Sequence, residues 1–164
     1  MRETFPMMNR RFVILMLACG LLSGCAGIKT YPNTPDKNLR VRTETDSGSF
    51  FSKVRAAVDI YRVDADCKTE YEGTVQLDAR SVAVGIPSGR VSYLVFVFAR
   101  SGFLSPSSSN ITYDTLLRPR AGQTYDVSVR YRDVIYNVVI READSRQGKG
   151  RVIGPKDLQD CRSY

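Results

Sequence analysis

Tyr125-Asp126-Val127-Ser128-Val129-Arg130-Tyr131-Arg132 decides the fold class of this chain. Aromatic or aliphatic residues hold every odd position and polar residues every even one. In an extended strand successive side chains leave on opposite faces, so this period of two turns one face to a core and the other to water. A helix would scatter the same residues around its axis. Beyond Arg132-Asp133, the stretch from Val134 to Ile140 reads as the returning arm of a hairpin.

The same alternation recurs upstream. Leu39, Val41 and Thr43 alternate with Arg40, Arg42 and Glu44. Val54, Ala56, Val58 and Ile60 alternate with Arg55, Ala57, Asp59 and Tyr61. Val75 and Leu77 mark a third short strand, and Val82, Val84 and Ile86 a fourth, closed by the turn residues Pro87-Ser88-Gly89. Val91 to Ala99 (VSYLVFVFA) is apolar in both registers and predicts a central buried strand. Ser101 to Ser109 reads as a loop, with Phe103 and Leu104 near its tip, and Ile111 to Leu117 as the next strand. Downstream of Asp144 the alternation stops, and Pro155 to Gln159 is expected to hold one helical turn. About seven or eight short strands without intervening helices predict an all-β, antiparallel β-sandwich over residues 39–164.

One segment is more specific. LLRPRAGQTYDVSV, Leu116 to Val129, resembles the strand–corner–strand stretch of fibronectin type III and related sandwiches, with Leu117, Pro119 and Tyr125 in the places of the Leu, the Pro and the corner Tyr. The resemblance implies that the Tyr125 phenol bonds back to the corner backbone and ties the sheets. It speaks to architecture only.

The chain opens with MRETFPMMNRR, followed by an apolar run of 11 residues from Phe12 to Leu22 and then Ser-Gly-Cys. Such a run fits a secretory signal and is far shorter than the roughly 20 residues of a spanning helix. Leu22-Ser23-Gly24-Cys25 resembles the bacterial lipobox, in which small residues admit the signal peptidase and the thiol carries the lipid. Cys19 follows Met16-Leu17-Ala18, a poorer match. The resemblance implies a signal peptide over 1–24, an acylated Cys25 bearing diacylglycerol and palmitate, and, with Ala26 rather than Asp next, sorting to the outer membrane facing the periplasm. Residues 25–38, with Pro32 and Pro35 and no period, read as the lipidated N-terminus and a tether. The thirteen residues from Ala26 to Asn38 span at most about 45 Å.

Of four cysteines, Cys67 and Cys161 remain once Cys19 leaves and Cys25 is lipidated. An even pair in an oxidising compartment predicts a disulfide pinning the irregular tail.

The composition narrows the chemistry. The chain contains no His, which removes Ser-His-Asp and Cys-His catalysis and the commonest metal ligand. It contains no phosphate-loop or dinucleotide fingerprint. Asp64, Asp66, Glu70 and Glu72 surround Cys67 without the spacing of a calcium loop, and read as solvated. No catalytic residue, metal site or cofactor is expected. The formal charge is +7; Arg2, Arg10 and Arg11 against Glu3 account for +2 of it and leave +5 for the remainder. No dense basic run points to nucleic acid. Arg118, Arg120, Arg130, Arg132 and Arg141 gather around the last strands and form the expected patch for an anionic envelope component or an acidic envelope protein. The leading expectation is a non-catalytic binding or assembly module held to the membrane through Cys25. The alternative is an envelope enzyme, such as a cell-wall hydrolase, working with carboxylates alone.

Overall fold

A computed structural model describes residues 28–45, 52–102, 105–132, 135–143 and 150–164. The expected signal segment, Cys25 and the Phe103-Leu104 tip lie outside the described residues. Two sheets face each other. One has five strands in the order β4 (Ser81–Val84), β1 (Leu39–Thr45), β7 (Tyr125–Arg132), β8 (Ile135–Glu142) and β9 (Arg151–Ile153). The other has four, in the order β3 (Thr69–Gln76), β2 (Ser52–Val63), β5 (Ser92–Gly102) and β6 (Ser105–Leu117). The chain is an all-β sandwich, as the alternation predicts.

The odd positions of β7 point inward: Tyr125, Val127, Val129 and Tyr131 are buried, and they meet Leu94, Phe96 and Phe98 from β5 and Val58 and Ile60 from β2. Tyr131 stacks on Phe98, with ring centroids 6.4 Å apart. This filled interior supplies most of the driving force for folding, at roughly 1.5–3 kcal/mol per large side chain buried.

The structure departs from the sequence reading in six places. The β1–β7 pair is parallel, with Leu39 opposite Tyr125 and Thr45 opposite Tyr131, while the other strand pairs run antiparallel. A ninth strand, β9, is only three residues long, too short to show a period. The Ser-rich stretch expected as a loop forms the arms of the β5–β6 hairpin, Gly102 opposite Ser105. The C-terminal turn is a 3₁₀ segment, Leu158–Ser163, opened by an Asp157 cap. Finally, β5 is buried on one face only; Tyr93, Val95, Val97 and Ala99 are half-exposed on the other.

A sixth departure concerns the expected tether. From Lys29 onward, that segment is part of the sandwich. Lys29 and Tyr31 bracket Thr74 of β3 through backbone bonds of 2.8 and 3.0 Å. Tyr31 is buried, and its hydroxyl donates to the Gly85 carbonyl at 2.9 Å. Asn38 is also buried; its side chain accepts from the Ile86 N–H at 3.0 Å and donates to the Ile86 carbonyl at 2.7 Å. Two glycines make the approach possible. A Cβ on Gly73 would lie 2.6 Å from the Tyr31 backbone, and one on Gly85 would lie 2.1 Å from the Pro35 carbonyl oxygen. The segment therefore crosses from the β3 edge of one sheet to the β4 edge of the other. The opposite side is closed by the tail: Leu116 donates its N–H to the Lys156 carbonyl at 2.9 Å, and the Lys156 N–H donates to the Thr115 hydroxyl at 3.0 Å.

Candidate functional site

Each sheet turns one face to solvent, and the two differ in chemistry. On the five-stranded sheet, register alone collects the outward residues. Arg40 lies opposite Asp126, and Asp126 opposite Arg141. Glu44 lies opposite Arg130, and their side chains pair at 3.2 Å. Arg42 and Arg132 complete the set, so five exposed guanidiniums share a face with two carboxylates. Of the five, only Arg130 has a carboxylate partner among the described residues. Ile135 and Val152, 71% and 56% exposed, lie beside Arg132 and Arg141 in register and add an aliphatic margin.

The sequence-predicted arginine set divides here. Arg130, Arg132 and Arg141 belong to this face. Arg118 sits over the Tyr164 ring at 5.6 Å, and Arg120 pairs with Glu142 at 3.3 Å. Arg40 and Arg42 take their place, brought in by the parallel β1–β7 ladder. Their alternation was visible in the sequence, but no local signal tells β1 which strand to pair with.

The outer face of the four-stranded sheet is walled. The C-terminal 3₁₀ segment reaches Cys67 in the β2–β3 turn through the Cys67–Cys161 disulfide, with Cα atoms 5.9 Å apart. It covers Leu116, which is fully buried although it faces outward, and Tyr164 donates its hydroxyl to the Leu116 carbonyl at 3.3 Å. Next to this strap runs a row of rings: Tyr71 to Tyr61 at 5.3 Å and Tyr61 to Tyr93 at 5.8 Å between centroids. The Tyr93 hydroxyl donates to Asp114 at 2.8 Å. Burial, then that bond and the nearby carboxylate charge, push the Tyr93 phenol up to about 12. Burial first, and then the Asp59 charge, raise Tyr61 as well. Thr74 donates its hydroxyl to Asp59 and bonds to the Tyr71 phenol. Beyond this network, Ala57, Val97 and Ala99 have short side chains, and the sheet surface sinks into a trough of about 1040 Å³ bounded by Ile28 and Lys29 on the β3 side.

The remaining predicted residues have structural partners. Leu117 and Tyr125 are buried at the corner, and the Tyr125 hydroxyl accepts the Arg120 N–H at 3.0 Å. Pro119 accepts the Gly89 N–H at 2.7 Å. In the acidic cluster, Asp64 accepts the N–H groups of Asp66 and Lys68 at 2.9 and 2.8 Å, Glu70 pairs with Arg62, and Glu72 pairs with Arg90 at 2.8 Å. The tyrosine row and the carboxylates Asp59 and Asp114 were not expected from the sequence; they stood among outward positions with nothing to mark them as neighbours.

No family model matches the chain. No curated protein matches it. Among solved structures, it is similar to transthyretin from Sparus aurata, with a TM-score of 0.44 and 12% identity over 66% of this chain and 99% of that one. A sea bream transthyretin in complex with thyroxine gives the same TM-score and identity, over 67% of this chain and 99% of that one.

Proposed function

We infer that this chain is an outer-membrane lipoprotein, anchored through a lipid on Cys25 and facing the periplasm, whose sandwich is a non-catalytic binding module for an anionic component of the cell envelope. The observation that carries the reading is the arginine face, where β1, β7 and β8 align five guanidiniums beside two carboxylates. Opposite charge on a partner is drawn to such a surface from beyond contact range, more weakly as salt rises. The address rests on Leu22-Ser23-Gly24-Cys25 behind its basic and apolar segments. The docked course of the chain from Lys29 adds a constraint. Only four residue steps separate Cys25 from Lys29, at most about 14 Å, so a lipid on Cys25 holds the domain at the membrane surface rather than on a long tether.

The test is crosslinking and pull-down of the lipidated protein from native envelopes, beside the same protein carrying Arg130→Glu, Arg132→Glu and Arg141→Glu. The variant is expected to remain in the membrane fraction, with acylated Cys25 as its mature N-terminus by mass spectrometry, and to lose the captured anionic partner. An unmodified N-terminus that begins elsewhere overturns the anchor. Capture of the same partners by wild type and variant overturns the role of the face.

A further inference from the structure

We propose that the trough on the four-stranded sheet is a second binding site, for an extended neutral glycan, separate from the arginine face and independent of the lipid anchor. The charges lining it balance: Lys29 and Arg55 stand against Asp59 and Asp78. A strongly charged ligand gains nothing there, in contrast to the opposite face. Between these charges lie the uncharged side chains of Gln76 and Asn110. The lining thus offers donors and acceptors together, and a sugar hydroxyl is both at once. A lipid tail or an apolar small molecule would strand those polar groups without partners.

Shape agrees with the chemistry. The floor is short because Ala57 faces Val97 and Arg55 faces Ala99 across β2 and β5, and where β3 ends the trough reaches Val54, Ala56 and Leu77 at the margin of the core. At one end of the floor stands Tyr71, the first of the three-ring row that continues across β2 and β5. A tyrosine ring offers an apolar face to the C–H side of a pyranose and a hydroxyl to its rim. Centroid spacings of 5.3 and 5.8 Å extend that surface over more than one sugar, so the fitting ligand is a chain rather than a monosaccharide. The site is also built in advance. Asp59 is oriented by Thr74 and Lys29 donates to the Tyr71 carbonyl at 3.3 Å, so little ordering remains to be lost on binding.

The experiment is titration of the purified full chain with N-acetylchitotetraose, cellotetraose and maltotetraose, and with heparin as an anionic control. The chain has nine tyrosines and no tryptophan, so its intrinsic fluorescence reports on tyrosine surroundings. At least one neutral tetrasaccharide is expected to bind saturably, to change tyrosine emission, and to withstand salt that releases heparin. Ala57→Phe and Val97→Phe, which fill the floor from outward positions, should each weaken that binding at least tenfold with heparin binding unchanged. Tyr71→Ala should weaken it too. Absence of binding by all three tetrasaccharides overturns the proposal. So does full-strength binding by an Ala57→Phe protein whose circular dichroism and melting match wild type. Loss of heparin binding alone would count against the arginine face and leave the trough standing.

Discussion

The two outer faces of this sandwich are made of the same pleated surface, yet they depend on different parts of the chain. The arginine face is complete within β1, β7 and β8; its residues are placed by register and reach outward on long side chains. The trough is incomplete without the segment that enters at Lys29. One margin is Lys29, held by β3, and the tyrosine row that leads away from Tyr71 ends beside the tail held by Cys161. A charged face works at a distance and tolerates small displacements, whereas a shaped site needs its walls within fractions of an ångström. Perturbing the Lys29–Asn38 segment or the tail should therefore separate the two faces.

The largest effect is expected from Cys161→Ser. The bond closes a sequence separation of 94 residues, and the chain-entropy account gives about 4–5 kcal/mol for a loop of that size. The variant, or wild type under reductant, should melt far lower. At temperatures where it stays folded, it should lose order at Leu116 and Tyr93 before the arginine face changes. Equal melting with and without reductant would show that the tail is held by its hydrogen bonds alone.

Next comes Gly85→Ala, which attacks the Lys29–Asn38 segment. Its new Cβ would meet the Pro35 carbonyl oxygen at 2.1 Å, and overpacking of this kind costs about 1–3 kcal/mol. The segment from Lys29 to Asn38 should lift, and the amides of Tyr31 and Thr74 should exchange with solvent faster, while amides along β7 and β8 keep their protection. Unchanged exchange at Tyr31 would mean that the segment is not held by its contacts with β4.

What could be read from the sequence follows the same division. Alternation within a strand sorts inward from outward residues, so the core positions of β1, β2 and β7 and the outward Arg130 and Arg132 were visible. Which strands become neighbours is not local information. Arg40 and Arg42 looked unrelated to Arg130 until β1 paired with β7 in parallel. Tyr61, Tyr71 and Tyr93 come from three strands and become a row only in the folded sheet. The Lys29–Asn38 segment reads as a linker because Pro32, Pro35 and small polar residues usually mean one; its docking rests on backbone bonds and on Gly73 and Gly85 far along the chain. Val91 to Ala99 looked buried on both faces because a trough floor of Val and Ala has a core-like composition.

A smaller effect distinguishes the two sides of β7. Tyr125→Phe removes the acceptor of the Arg120 N–H, and a lost neutral hydrogen bond costs about 1 kcal/mol. Asp126→Asn, on the arginine face, should change stability by less than about 0.5 kcal/mol, as most surface substitutions do. It should instead raise the positive charge of that face and strengthen its salt-dependent binding of heparin. Urea melts and heparin titrations of the two variants check both halves; equal destabilisation would erase the distinction between the inward and outward sides of the strand.

The smallest effect is invisible at neutral pH and concerns Tyr93. Its phenol titrates at about 12 in the fold, because burial and the bond to Asp114 favour the neutral form. An unfolded tyrosine titrates near 10. Below pH 10 the phenol is protonated in both states, and its contribution to stability is fully present. Between about pH 10 and 12 the unfolded chain releases the proton while the folded one retains it, so stability falls as pH rises through this window. Tyr31, Tyr61, Tyr113 and Tyr164 are raised in the same direction, chiefly by burial, so the loss is shared. Tyr93→Phe should flatten the decline in melting temperature above pH 10 without removing it, and should leave the melting curves at pH 7 and pH 9 parallel to those of wild type. Guanidinium groups as a class keep their charge across this range, so heparin binding measured below the melting transition should persist while the tyrosine row ionises. An alkaline decline identical in wild type and Tyr93→Phe would mean that the Tyr93–Asp114 bond does not hold the phenol in its neutral form, and the tyrosine row would lose one of its fixed points.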